Sequence, residues 1–103
     1  MWRQINFKNV KIEKLVGEFG FWVAIGYPFN RMTIRIYENA EGEFRGCTSL
    51  AFKFTDTGKF ENNLGNGTSL EETLNNVIMK FDSLVKEVGP DNLECKPVDW
   101  HIF

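Results

Sequence analysis

The chain has 103 residues, of which 43% are hydrophobic, 25% charged and 15% aromatic, and its net charge is −2. A single domain spanning residues 1–103 is expected, because a chain this long buries roughly 65% of the surface that its unfolded form exposes. The apolar fraction excludes intrinsic disorder, and the longest apolar stretch, Phe19 to Phe29, is broken by Gly26 and Pro28 and is too short to span a bilayer.

Met1 to Leu15 mixes charged and apolar residues and lacks the unbroken apolar segment of a secretory signal, so a cytoplasmic location is expected, with no membrane partner. The net charge hides a division. Residues 1–60 carry nine Lys or Arg and six Asp or Glu, a balance of +3, whereas residues 61–103 carry three and eight, a balance of −5.

A first strand is expected at residues 3–8, where Ile5 and Phe7 alternate. Residues 9–16 fit either a strand with a phase slip or a short helix stopped by Gly17. From Phe19 the apolar period is two: Phe19, Phe21, Val23, Ile25 and Tyr27 fall on one strand face, with Trp22 and Ala24 on the other. Pro28 and Asn30 supply a turn. A second strand follows, in which Met32, Ile34 and Ile36 alternate with Arg31, Thr33, Arg35 and Tyr37. The Gly-ended connection Asn39 to Gly42 predicts a hairpin. In the third strand Phe44, Leu50, Phe52 and Phe54 oppose Arg45, Cys47, Ser49, Ala51 and Lys53, and Gly46 and Thr48 interrupt the apolar face, which predicts a bulge near Gly46.

Asp56 to Gly58 reads as a turn, and Asn62 to Thr68, rich in Gly and Asn, as a loop. The next stretch is a helix with both terminal signals. Ser69 and Glu72 have capping-box spacing, and Leu70, Leu74, Val77, Ile78, Phe81, Leu84, Val85 and Val88 make a single stripe that Gly89 and Pro90 terminate. Val98, Trp100 and Ile102 share a parity and suggest a short strand or extended arm on the core.

Consecutive alternating strands followed by one amphipathic helix predict an α+β fold, an antiparallel sheet of about four strands with the helix packed on one face. By subtraction, the opposite face displays Trp22, Arg31, Thr33, Arg35, Tyr37, Arg45, Cys47, Ser49 and Lys53, which is cationic, aromatic and nearly free of acids. Trp22, Arg31, Arg35, Tyr37, Arg45 and Lys53 are therefore the expected binding residues. Trp, Tyr and Arg dominate protein hot spots, so a protein partner is expected. The alternative occupant is a nucleotide or single-stranded nucleic acid, with the rings stacking on bases and the cations meeting phosphates. The aromatic sheet motif of RNA-recognition domains is missing, and the overall acidity opposes nucleic acid. Homodimerisation through the same face is a further alternative.

Catalytic chemistry has little to work with. His101 is the single histidine, and Asp99, His101 and Cys95 lie in a terminal segment, a poor platform for a rigid site. Cys47 and Cys95 have neither zinc nor redox spacing and read as free thiols. No metal, cofactor or enzymatic activity is expected. Asn66-Gly67-Thr68 fits the glycosylation sequon, but reads as a turn leading into the helix cap.

The run Gly67-Thr68-Ser69-Leu70-Glu71-Glu72-Thr73-Leu74-Asn75-Asn76 resembles the segment that opens the helix behind a small antiparallel sheet in HicB-type antitoxins. The resemblance implies the same order of sheet and helix. That family's Gly-Cys strand ending is echoed by Gly46-Cys47, earlier in the chain, and no DNA-binding extension is expected. The expected function is that of a small non-enzymatic binding protein of the inhibitor, antitoxin, immunity or phage counter-defence type. On this reading, charge reversal at Arg35 and Arg45 abolishes partner binding with little effect on stability.

Overall fold

The structure is a computed structural model that describes residues 2–4, 11–101 and 103. Among the described residues, five strands, β1 (Glu13–Trp22), β2 (Arg31–Asn39), β3 (Phe44–Lys53), β4 (Phe60–Gly67) and β5 (Cys95–Pro97), accompany one long helix, α1 (Leu70–Val88). Short 3-10 turns lie at Trp2–Gln4 and Pro90–Asn92. The antiparallel sheet has the order β1-β2-β3-β4, and β5 pairs with β3. The fold is the expected α+β arrangement. Arg3 and Gln4 belong to a 3-10 turn, and the rest of the strand expected at 3–8 lies outside the described residues.

The ambiguity over residues 9–16 resolves, from Glu13 onward, as a strand with a phase slip. A bulge separates Leu15, opposite Tyr37, from Gly17, opposite Ile36. The extra residue flips the parity, which is why no single period ran through this segment. Residues 9 and 10 lie outside the described residues.

β1 ends at Trp22 and does not run on to Tyr27 as the alternation suggested. Val23 N–H donates to Asn30 O at 3.0 Å, and the chain between them forms a wide hairpin loop. Gly26 takes φ +106°, a left-handed conformation that glycine tolerates best. Tyr27 and Phe29 fold back onto the core, where both meet Phe81, at ring separations of 6.1 and 6.0 Å. The loop tip is thereby turned outward. Ile25, expected in the core, is fully exposed.

Asn62 to Thr68 is largely strand β4 and not the expected loop. The glycines are there because the helix lies directly on the sheet backbone. A Cβ at Gly65 would stand 2.8 Å from the Val77 nitrogen, one at Gly67 2.7 Å from Thr73 Oγ1, and one at Gly46 2.4 Å from Val77 Cγ2. Three glycines thus form a shelf on which the first half of α1 rests, a close approach that any side chain would prevent.

The bulge expected near Gly46 is present, as a register break against β4 between Gly46 and Cys47. Past the Cys47–Asn63 pair the β3–β4 ladder stays open until Phe52. Side chains bridge the gap: the buried Thr48 hydroxyl donates to Leu50 O at 2.6 Å and reaches Asn62 O at 3.3 Å, while Asn62 Nδ2 donates to Thr48 O at 3.2 Å. Buried carbonyls that lose ladder partners need such substitutes. On the other side of β3, β2 stops pairing at Thr48 and β5 takes its place along Leu50–Phe52.

The helix boundaries follow the sequence signals. Ser69 Oγ accepts from Glu72 N–H at 3.1 Å, and Glu72 turns its carboxylate to the Thr68 hydroxyl. Gly89, at φ +86°, closes the helix by donating to Val85 O. Val77, Phe81 and Leu84 are buried against Met32, Ile34, Ile36, Phe52, Phe54, Leu64 and Leu93. Each of these helix side chains contributes roughly 1.5–3 kcal/mol of transfer free energy. Asn75, Lys80, Asp82, Lys86 and Glu87 face solvent as expected. Among the described residues, no helix is long and apolar enough to cross a membrane.

Candidate functional site

The face of the sheet turned away from α1 carries most of the residues singled out from sequence, but not as one open surface. Arg35 pairs with Cys47 across β2 and β3, and Tyr37 with Arg45, so these side chains are neighbours at the middle of the sheet. Trp22 pairs with Arg31 at the far end of the β1–β2 ladder. Lys53 is the last residue of β3, past the point where β5 replaces β2 as its neighbour. The six expected binding residues therefore fall into three separate places.

The expectation of a face nearly free of acids is overturned by β1. With Glu13 to Trp22 in a strand, Glu13 and Glu18 come to the same side as the arginines. Arg35 Nε donates to Glu18 at 2.9 Å. Arg45 binds Glu13 with both Nε and Nη2, at 2.7 and 2.8 Å. Lys53 approaches Glu94 at 3.8 Å. The two-pronged bond from Arg45 holds the Glu13 carboxyl below the usual carboxylate range, against the opposing effect of burial, and in turn raises the Arg45 pKa. Bidentate guanidinium–carboxylate contacts are the strong form of such pairs. Cys47, expected on the displayed face, is buried, and that burial pushes its thiol up despite the neighbouring Arg45. A neutral buried thiol is a poor nucleophile.

The chain's own tail covers the centre of this face. After β5 the chain turns at Trp100 and His101, and Phe103 is buried. The Arg35 guanidinium lies 4.0 Å from the Trp100 ring centroid and 4.3 Å from that of Phe103. Tyr37 Oη and Arg35 Nη1 donate to the main-chain oxygen of Phe103 at 2.9 and 3.2 Å. Where a short strand or extended arm was expected at Val98 and Trp100, a strand at Cys95–Pro97 is followed by Val98, whose N–H donates to Ser49 O, and then a turn, while Ile102 lies outside the described residues. Arg35 and Arg45 therefore have internal partners, and reversing either charge would set like charges against Glu18 or Glu13. The expected indifference of stability to these changes does not fit this geometry.

Trp22 and Arg31 remain at the surface. Trp22 is 70% exposed, with the Arg31 guanidinium 5.3 Å from its ring centroid and no carboxylate paired with Arg31 among the described residues. Gly20 lies beneath both side chains, and a Cβ there would come within 3.6 Å of the indole nitrogen. A groove of about 290 Å³ opens at this end on the helix side, between the hairpin loop and α1, lined by Trp22, Ala24, Tyr27, Ile78, Met79 and Asp82 among others. Met79 is 57% exposed and Ile25, next to Ala24, is 104% exposed. Sequence reasoning missed Ile25 and Met79. Ile25 obeyed the strand alternation, and Met79 sits one position beyond the apolar stripe, at a place that only helix packing reveals.

A larger depression, of about 470 Å³, lies at the other end of the sheet among Glu13, Glu43, Arg45 and Thr68. Its charged groups are engaged internally, Arg45 with Glu13 and Glu43 with Asn39. Among the described residues, no three His, Cys, Asp or Glu side chains gather as a metal site. His101 is exposed, and its main-chain N–H donates to Asp99. Compared with protein-family models, curated proteins and solved structures, the chain shows no match.

Proposed function

We propose that this protein is a small non-enzymatic binding domain that engages a protein partner through the end of the sheet formed by Trp22, Arg31, the hairpin tip at Ile25 and Met79. The observation that carries this reading is that exposed large apolar residues recur at this end of the molecule: Trp22, 70% exposed, and Met79, 57% exposed, belong to the lining of one groove, and Ile25, 104% exposed, lies on the adjoining hairpin loop. A Trp–Arg pair beside aliphatic groups has the composition of a protein hot spot. The loop carrying Ile25 is anchored by Tyr27 and Phe29 on Phe81, so the surface is held in place before a partner arrives. An inhibitor or adaptor role suits such a preformed surface. Nucleic acid is served less well, because Arg35, Arg45 and Lys53 each face a carboxylate.

The test is affinity capture from the native host's lysate with wild-type, Trp22→Ala and Ile25→Asp baits, each with and without nuclease. The expected result is a protein held by the wild type in both arms and lost from both variants, whose melting temperatures stay within about 2 °C of wild type because exposed side chains contribute little to folding. Retention of the same protein by both variants, or retention that depends on nucleic acid, would refute the reading.

A further inference from the structure

Trp100 and Phe103, in the tail, are bound in a manner unlike the rest of the described chain. Val98 N–H donates to Ser49 O at 2.9 Å, the last main-chain tie of the tail to the sheet among the described residues. Beyond it the tail is held by Arg35 and Tyr37, through the stacked guanidinium and the two hydrogen bonds to the Phe103 oxygen. Phe103 is 5% exposed yet stands apart from the buried core cluster, which lies on the helix side of the sheet. Withdrawing the tail therefore opens no hole in the core. The surface left behind keeps its own partners, Arg35 with Glu18, Arg45 with Glu13, and Thr33 N–H with Ser49 Oγ. It is a polar shelf that water can cover, and its present occupant is a short peptide segment.

From this geometry we infer that the Arg35–Tyr37 shelf is a second protein-recognition site, held shut by the chain's own tail, and that its ligand in trans is a partner segment with two aromatic residues three positions apart. The resident segment defines the chemistry. Trp100 and Phe103 meet edge to face at 5.3 Å and enclose one guanidinium, while one main-chain oxygen takes both donors. The apolar rings and the nearby Glu13 and Glu18 favour a peptide over any phosphate-bearing ligand. The cis tail competes at the high effective concentration that a short tether provides, so a partner must match this aromatic spacing to displace it. This site lies apart from the Trp22 groove and does not depend on it.

The test uses the full chain. A labelled peptide with the sequence of residues 98–103 is titrated by fluorescence anisotropy into wild type and into the Trp100→Ala/Phe103→Ala double variant, whose shelf is vacated. Saturable binding is expected to the double variant and at least about tenfold weaker binding to wild type, where the shelf is occupied. Adding Arg35→Ala to the double variant is expected to weaken binding about 30-fold, the effect of losing one hot-spot side chain. Adding Trp22→Ala is expected to leave it unchanged. The proposal is overturned if the double variant, folded by circular dichroism, shows no saturable binding, or if binding survives Arg35→Ala. It is also overturned if a concentration-dependent dimer, abolished in the double variant, shows that a second copy's tail is the trans ligand. Should the double variant not fold, hydrogen exchange on wild type decides. Amides of the tail are expected to exchange by local opening, far faster than those of Ile34 and Ile36, and exchange only through global unfolding would overturn the proposal.

Discussion

Replacing Gly65 by alanine puts the contact between α1 and the sheet to a quantitative test. The new Cβ would stand 2.8 Å from the Val77 nitrogen, 3.0 Å from Val77 Cγ2 and 3.1 Å from the Thr73 oxygen. Two of these atoms are helix backbone, so no rotamer change relieves the clash and α1 must retreat by a few tenths of an ångström. Overpacking of this kind costs about 1–3 kcal/mol. The substitution also stiffens the unfolded chain, which returns about 0.4–1 kcal/mol. A net loss of about 1–2 kcal/mol remains. Unfolding entropy near 2.1 cal/mol/K per residue makes one kcal/mol worth about 5 °C in a chain of this size, so the melting temperature should fall by about 5–10 °C. Gly20→Ala is the control, because its Cβ would meet nothing closer than 3.6 Å. That variant should melt at or up to about 5 °C above wild type. Differential scanning calorimetry on both reads the outcome. If Gly65→Ala melts with or above wild type, the glycine shelf does not carry the helix.

Thr48→Val keeps the shape of the side chain but removes the hydroxyl that bridges Leu50 and Asn62 where the β3–β4 ladder opens; a loss of about 1–3 kcal/mol is expected by urea denaturation, and an unchanged midpoint would show that the gap needs no bridge. The Glu13–Arg45 pair predicts a pH dependence. Because the folded Glu13 pKa lies below its ordinary value of 4.5, its contribution is fully present above that value and disappears as pH falls through the folded one. The difference in melting temperature between wild type and Glu13→Gln should accordingly be constant from neutral pH to about pH 5.5 and shrink toward zero below it; a constant difference down to pH 3 would refute the assignment.

Much of the scaffold was legible in the chain itself. The helix carried its own start in Ser69, its stripe in Val77, Phe81 and Leu84, and its stop in Gly89, because capping and amphipathic periodicity are local properties of neighbouring residues. The β2 strand was equally plain, since Met32, Ile34 and Ile36 alternate without interruption and are buried, and in β3 the break at Gly46 and Thr48 marked the bulge. The reading of β4 failed for a physical reason. Gly65 and Gly67 look like loop residues to any local rule, and their purpose, to let a helix backbone approach a strand, exists only once the two segments are packed.

The candidate site divides along the same line. Strand parity placed Trp22 and Arg31 among the expected binding residues, and both stand exposed. The same reasoning treated Arg35, Tyr37 and Arg45 as open to a partner. It could not foresee that Glu13 and Glu18 would arrive from a strand whose phase slips at Leu15, or that Trp100 and Phe103 would return from the far end of the chain to close on Arg35. Period, caps and turns depend on residues a few positions apart and are written in the sequence. Which charges neutralise one another, and which rings lie over which cation, depends on segments tens of residues apart, and only the tertiary fold brings those together.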